Sequence, residues 1–194
     1  QLESKKLFWN KYSDKFDAIY GTRNTIFNDL INKWFRKTMK IRFEKSIMAI
    51  PAANVSVLDI GCGPGHYCFA LAKKVSGEIL GIDFSQNMIN LAAGHARELN
   101  LEHKIEFRVG DILKFNPATK YDYAIMMGFI EYFEEPEAIL KHALTLTNIK
   151  LFISFPVAGG ILAFQRKLRY KRRCFLKLYH YEDIADLMDR LNVK

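Results

Sequence analysis

Three glycines at alternate positions, Gly61, Gly63 and Gly65, follow a short apolar run and its Asp59 in the segment VLDIGCGPGHY, residues 57–67. Glycine admits positive φ and lets a ligand approach the backbone closely. A helix starting just beyond would offer exposed N–H groups and a favourable field to anionic groups. A G-x-G after a strand is shared by several nucleotide-binding proteins. The dinucleotide fingerprint G-x-G-x-x-G, counted from Gly61, requires a small residue at 66; this chain has His66 there, with Gly65 one position early. Two more acidic residues sit at the ends of apolar segments downstream, Asp83 in GIDFS and Asp111 in GDI. A carboxylate at the first of these places can accept from both hydroxyls of a ribose.

Other chemistries find less support. The three cysteines, Cys62, Cys68 and Cys174, form no C-x-x-C pair, and a reducing cytoplasm is expected. The five histidines (66, 95, 103, 142 and 180) show neither H-x-x-x-H nor H-E-x-x-H spacing, so no metal site is expected. No catalytic triad stands out. Glu131, Tyr132 and His180 are candidates for a base, each with a plainer reading: Glu131 as a solvated charge at a helix start, Tyr132 as a packing residue at a pocket rim, His180 as a cap or an exposed residue.

The elements that must hold these residues alternate. VSVLDI (55–60), EILGID (78–83), KIEFRVGD (104–111), YDYAIMMGF (121–129) and KLFISFPV (150–157) read as strands. HYCFALAKKV (66–75), SQNMINLAAGHAREL (85–99), PEAILKHALTL (136–146) and YEDIADLMDRL (181–191) read as helices, with Ser85 as an N-cap and Pro136 in a first turn. Alternation of this kind predicts an α/β fold, a Rossmann-like, mostly parallel sheet with helices on both faces. Ligands of such sheets bind outside the carboxyl ends of the strands, where strand order reverses. Residues 1–50 carry amphipathic helix spacing and read as an N-terminal helical arm that Pro51 stops. The expected organisation is one domain over 1–194: a helical cap (1–50), a core (51–157), a basic cap insertion (158–180) and a last helix (181–194).

With these elements in place, D-I-G-C-G-P-G, GIDFS and GDI resemble the motifs of the class I S-adenosylmethionine-dependent methyltransferases, in order and each at a strand end. The resemblance spans about residues 55–157. It implies S-adenosyl-L-methionine as cofactor and S-adenosyl-L-homocysteine (SAH) as product. It implies cofactor contacts from Gly61, Gly63 and Gly65, with Asp59 orienting the loop or the methionine end. It further implies Asp83 on the ribose, Phe84 and Met88 over the adenine, Asp111 on the adenine amino group, the Ile112 N–H on a ring nitrogen, and the backbone carbonyls of Met127 and Gly128 near the methionine amino group. Methyl transfer needs alignment and exclusion of water more than a dedicated base.

The acceptor is less legible. The segment MGFIEYFEEP, 127–136, lacks the (Asp/Asn)-Pro-Pro-(Tyr/Phe) of enzymes that methylate amino groups of adenine or glutamine, and it looks like the small-molecule branch of the family. A small-molecule acceptor is expected. The alternatives are a methyltransferase acting on RNA or protein, a non-catalytic S-adenosylmethionine-binding scaffold, and a nicotinamide dinucleotide oxidoreductase, which His66 disfavours. Net charge is +8 in total, +6 over residues 1–50, −3 over 51–157 and +5 over 158–194. The cluster RKLRYKRR, 166–173, with Ile161, Phe164 and Leu168 spaced i, i+3, i+7, fits a solvated surface. It also fits contact with an anionic substrate, a membrane surface or nucleic-acid phosphates. The N-terminus shows no signal-peptide pattern. The chain opens on Gln1 and stops at RLNVK, where a sixth strand of the family sheet would begin. Strands six and seven are expected to have been lost by truncation, or their edge to be covered by another chain.

Overall fold

A computed structural model describes residues 29–160, 163 and 175–193. Within them the chain runs α1 (Asp29–Ala49), β1 (Val57–Ile60), α2 (His66–Ala72), β2 (Ile79–Asp83), α3 (Gln86–Glu98), β3 (Ile105–Val109), β4 (Tyr121–Met126), α4 (Pro136–Thr145), β5 (Thr147–Ile153) and α5 (Tyr181–Arg190). The predicted α/β class holds. The five strands form one wholly parallel sheet in the order β3-β2-β1-β4-β5. β1 is central, with Val57 beside Ile79 of β2 and Tyr123 of β4. The chain lays β2 and β3 outward on one side of β1, then returns to place β4 on the other. The order therefore reverses between β1 and β4, and a crevice opens above their carboxyl ends.

Alternation of side chains along each strand divides the core into two layers. Leu58, Ile60, Leu80, Ile82, Ala124 and Met126 point to one face, where Ile139, Leu140 and Ala143 of α4 and Leu187 of α5 cover them. Val57, Ile79, Ile105 and Ile125 point to the other, under Cys68, Leu71 and Ala72 of α2 and Ile89 and Ala96 of α3. Both faces of the central strands are thus dry. That is why β1 and β2 read as unbroken apolar runs in the sequence.

Local chemistry sets the ends. Ser85 caps α3, its Oγ accepting the Met88 N–H at 3.3 Å, and Pro136 opens α4, both as predicted. The end of α1 carries carbonyls that lack helical partners. Lys74 Nζ donates to two of them, Ile47 O at 2.7 Å and Met48 O at 3.2 Å, which fastens α1 to the residues after α2.

β1 and β3 are shorter than expected, Val57–Ile60 and Ile105–Val109, and the larger differences lie in β4 and β5. β4 ends at Met126, because Gly128 turns the chain with φ +71°. The fifth strand was predicted over 150–157 and runs Thr147–Ile153. Its first residues, Thr147 and Asn148, are polar but the strand pairs with β4 from Tyr121↔Thr147 onward, and Pro156, with no N–H to donate, cannot continue a ladder. Beyond it Val157 forms a lone parallel bridge to Tyr179. β5 is an edge of the sheet among the described residues. Residues 1–28 of the predicted arm, and the cluster 166–173 with Ile161, Phe164 and Leu168, lie outside the described residues. No helix among the described residues is long and apolar enough to cross a membrane.

Candidate functional site

The glycine loop leaves β1 and doubles back over β2. Gly61 and Cys62 both donate their N–H to Ile82 O, at 2.8 and 3.1 Å. Gly61 has φ +72°, and a Cβ there would overlap the ring of Phe129, so only glycine lets the loop and that ring meet. Gly65, with φ +88°, occupies the N-cap of α2. Between them Gly63 donates its N–H to Asp83 Oδ2 at 3.0 Å. The carboxylate of Asp83 also accepts the Ser85 N–H on Oδ1 at 2.8 Å. Asp83 thus ties the end of β2 to the glycine loop. A carboxylate offers about four acceptor sites, so lone pairs are left over for a ligand.

Burial sets the electrostatics. Asp83 is 8% exposed, and burial pushes its carboxyl up to about 6, against the N–H groups of Ser85, Gly63 and Phe84, which pull it down. Asp59, 2% exposed, lies beneath the loop and accepts from Cys68 Sγ at 3.3 Å. Burial pushes it up to about 7, the Cys68 contact opposes this, and the Asp83 charge adds to it. The Cys62 and Cys68 thiols are buried, unbridged, and raised well above their ordinary range by that burial and by the Asp59 charge. They are thiols at neutral pH, so neither is an activated nucleophile.

A cavity of about 230 Å³ opens at the carboxyl ends of β1, β2 and β3. Gly61, Asp83, Phe84, Asp111 and Ile112 line it, so five of the sequence-predicted residues come together. Asp111 starts a 3-10 turn, Ile112–Lys114, and its Oδ1 accepts the Leu113 N–H at 3.0 Å. Asp59, Gly63, Gly65, Met88 and Met127 do not line it. Gly63 and Gly65 shape the loop from behind. Met88 is 2% exposed and holds α3. Met127 packs on the α2 face, and its sulfur accepts from Ser46 Oγ at 3.6 Å. The sequence reading missed Phe129, Phe133 and Ile139, which line the same cavity. Their signal is present in GFIEYFEEPEAIL, where Phe129 and Phe133 stand four apart after the fourth strand, their ring centroids 4.8 Å apart.

A second cavity, about 320 Å³, flanks the same 128–132 segment, with Glu131 and Arg42 on its wall. Glu131, expected as a solvated charge, is 3% exposed, because the segment turns as a 3-10 helix and tucks it inward. Tyr132 is buried, as its packing role requires. His180 is exposed and starts α5, its N–H donating to Asp183 Oδ2 at 2.8 Å, which fits the capping role. Among the described residues no group of histidines, cysteines and carboxylates could hold a metal ion.

The donor set suits S-adenosylmethionine. No lysine or arginine lines the first cavity, the carboxyls of Asp83 and Asp111 do, and the loop N–H of Gly63 is taken by Asp83. A pyrophosphate would meet two carboxyls and lose an amide, whereas a sulfonium and a ribose would meet complementary charge and acceptors.

Known proteins agree with this geometry. The family of the methyltransferase domain matches residues 51–161. The ajmaline N-methyltransferase of Rauvolfia serpentina is 33% identical over 87 residues, covering 44% of this chain and 30% of that protein. The ubiquinone biosynthesis O-methyltransferase of Coxiella burnetii is 29% identical over 140 residues, covering 66% of this chain and 58% of that one. The chain therefore spans less than two thirds of the length of these curated relatives. A crystal structure of the magnesium protoporphyrin IX methyltransferase of Synechocystis PCC 6803 with bound SAH superposes with a TM-score of 0.80 at 20% identity, over 98% of this chain and 89% of that one, which shows the shared fold. With the family match covering more than half of its length, the chain belongs to the class I S-adenosylmethionine-dependent methyltransferases.

Proposed function

We propose that this chain binds S-adenosylmethionine in the cavity above β1, β2 and β3 and is a methyltransferase for a small-molecule acceptor. When bound, the cofactor supplies an electrophilic methyl group on a sulfonium. Asp83 accepts from the ribose hydroxyls with the lone pairs its backbone bonds leave over. Asp111 accepts from the adenine amino group, the Ile112 N–H donates to a ring nitrogen, and Phe84 with Leu113 supplies apolar walls for the base. Gly61 keeps the loop thin where the ligand crosses it, and Asp59, buried behind it, orients the loop. Phe129 and Phe133 keep water from the reacting centre.

The observation that carries this reading is the Asp83 carboxylate. It is buried, fixed on both oxygens by Gly63 and Ser85, and still on the cavity wall beside Asp111. The small acceptor is supported by the relatives, which are named for ajmaline, ubiquinone biosynthesis and magnesium protoporphyrin IX. Titration calorimetry with S-adenosylmethionine and with SAH tests the donor site. The intact chain is expected to bind both, and Asp83→Ala to lose at least tenfold in affinity. No binding by the intact chain, or equal binding by the variant, overturns the reading. Transfer of a labelled methyl group to extract fractions tests the acceptor. Label in the small-molecule pool supports it, and label confined to RNA or protein overturns it.

A further inference from the structure

We propose that Ser154 is a positioning residue for the amino-acid end of the donor. Its one hydroxyl sets both groups that meet that end, the Arg42 guanidinium and the Met127 carbonyl. The proposal rests on the reading of the first cavity as the donor site, with the methionine end at the turn after β4. Ser154 follows β5 directly, and its own N–H donates to Met126 O at 3.2 Å, which pins it against the end of β4. Its Oγ accepts from the Gly128 N–H at 2.9 Å and from Arg42 Nη1 at 3.4 Å. A hydroxyl oxygen has two acceptor lone pairs, so these two bonds fill it. Ser154 belongs to none of the motifs that carried the sequence reading.

The first bond fixes a carbonyl. Gly128 turns the chain at φ +71°. In a planar trans peptide the N–H and the preceding C=O point opposite ways. With the Gly128 N–H held on Ser154, the Met127 carbonyl points away from Ser154, and among the described residues no backbone N–H donates to it. It is left to accept from the donor's ammonium. The second bond fixes a cation. Arg42 lies half-buried on α1, and its Nε donates to Tyr67 OH at 3.2 Å. Two neutral partners thus hold the guanidinium, and among the described residues it forms no ion pair. The planar fork keeps its remaining donors for the donor's carboxylate. A Cβ on Gly128 would stand 3.3 Å from Nη1 and 3.6 Å from Nη2, so the fork lies against the turn. Carboxylate and ammonium share one carbon in the donor, so their two partners must keep a fixed spacing. Ser154 is bonded to both sides of that pair and supplies the spacing.

The test compares SAH with methylthioadenosine, which keeps the adenosine and the thioether and lacks the amino-acid end. Calorimetry measures both ligands on the intact chain and on Ser154→Ala and Ser154→Thr. The intact chain is expected to prefer SAH. Ser154→Ala is expected to lose about tenfold in SAH affinity while methylthioadenosine stays within about twofold, since the lost bonds serve only the charged end. Ser154→Thr keeps the hydroxyl and is expected to recover most of the loss. S-adenosylmethionine against its decarboxylated form isolates the Arg42 half, and Ser154→Ala is expected to narrow that preference as well. Thermal unfolding checks that the variants fold, and if the alanine variant does not, Ser154→Cys, close in size and a weak acceptor, carries the same expectations. Equal weakening of SAH and methylthioadenosine would reduce Ser154 to a packing role and overturn the proposal. So would unchanged SAH affinity in the variant, no recovery by threonine, or an intact chain that binds both ligands equally. An intact chain that binds neither ligand overturns the donor-site reading itself, and the proposal with it.

Discussion

Asp59→Asn separates the electrostatic cost of the loop's floor from its packing. Asp59 is buried with a carboxyl near 7 in the fold, against an ordinary value of 3.8. Between those values the folded protein holds the proton and the unfolded chain releases it, so stability is highest below about 3.8, falls as pH rises toward 7, and is flat above. At about 1.4 kcal/mol per pH unit, the loss relative to strong acid is about 2 kcal/mol at pH 5 and about 4 kcal/mol at pH 8. Asparagine keeps the shape, keeps an oxygen for the Cys68 thiol, and cannot ionise. Any constant gain or loss from the new amide is the same at both pH values and drops out of the difference. The stability of Asp59→Asn relative to the parent should therefore rise by about 2–3 kcal/mol from pH 5 to pH 8. At about 2–4 °C per kcal/mol for a chain of this size, the gap in Tm should widen by roughly 5–10 °C. Thermal and urea unfolding of both proteins at the two pH values measure it. A gap that does not change with pH would refute the claim that this carboxyl is buried at a cost.

Asp83, held near 6 by burial, should make S-adenosylmethionine affinity rise severalfold from pH 5 to pH 7, as the ionised form meets the sulfonium and hydroxyls; Asp83→Asn should be weak and flat with pH in calorimetry. Gly61→Ala should cost roughly 2 kcal/mol or more, through positive φ and the Phe129 collision, and should lower SAH affinity as well; a urea midpoint equal to the parent's would contradict it. Lys74→Met should cost about 1 kcal/mol by uncapping Ile47 and Met48, read as a lower urea midpoint with SAH affinity unchanged.

The sheet was legible because burial on both faces demands uninterrupted apolar strands. VLDI and ILGID are written that way, and two of the helices that follow β2 and β4 start at Ser85 and Pro136, which local chemistry sets. The start of the fifth strand was not legible. Thr147 and Asn148 are polar, and what makes them strand is the partner at Tyr121, a tertiary fact. The same division runs through the site. Asp83 and Asp111 announce themselves by standing at strand ends, and the structure places both on one cavity. Met88 shares that spacing signal, yet a side chain's direction depends on helix phase, and the Met88 side chain is buried in the core. Glu131 was misread for a related reason. Flanked by charges in EYFEEP it looks solvated, but a short 3-10 turn rotates it inward. Arg42 gave no signal, since one arginine among the basic residues of an amphipathic helix is indistinguishable from its exposed neighbours until Tyr67, Ser154 and Gly128 are seen around it.

Alternate glycines alone would have served a pyrophosphate as well as a sulfonium. What decides between them is where the loop's own hydrogen bonds go. A loop that presents its amides outward favours an anion. Here Gly61 and Cys62 spend theirs on Ile82 O, and Gly63 spends its on Asp83, while Asp59 lies beneath. The loop has turned its donors inward and leaves carboxyl oxygens near the surface that the ligand meets. That inversion fits a positively charged methyl donor, and it places the cost of two buried carboxyls where a bound cation would offset it.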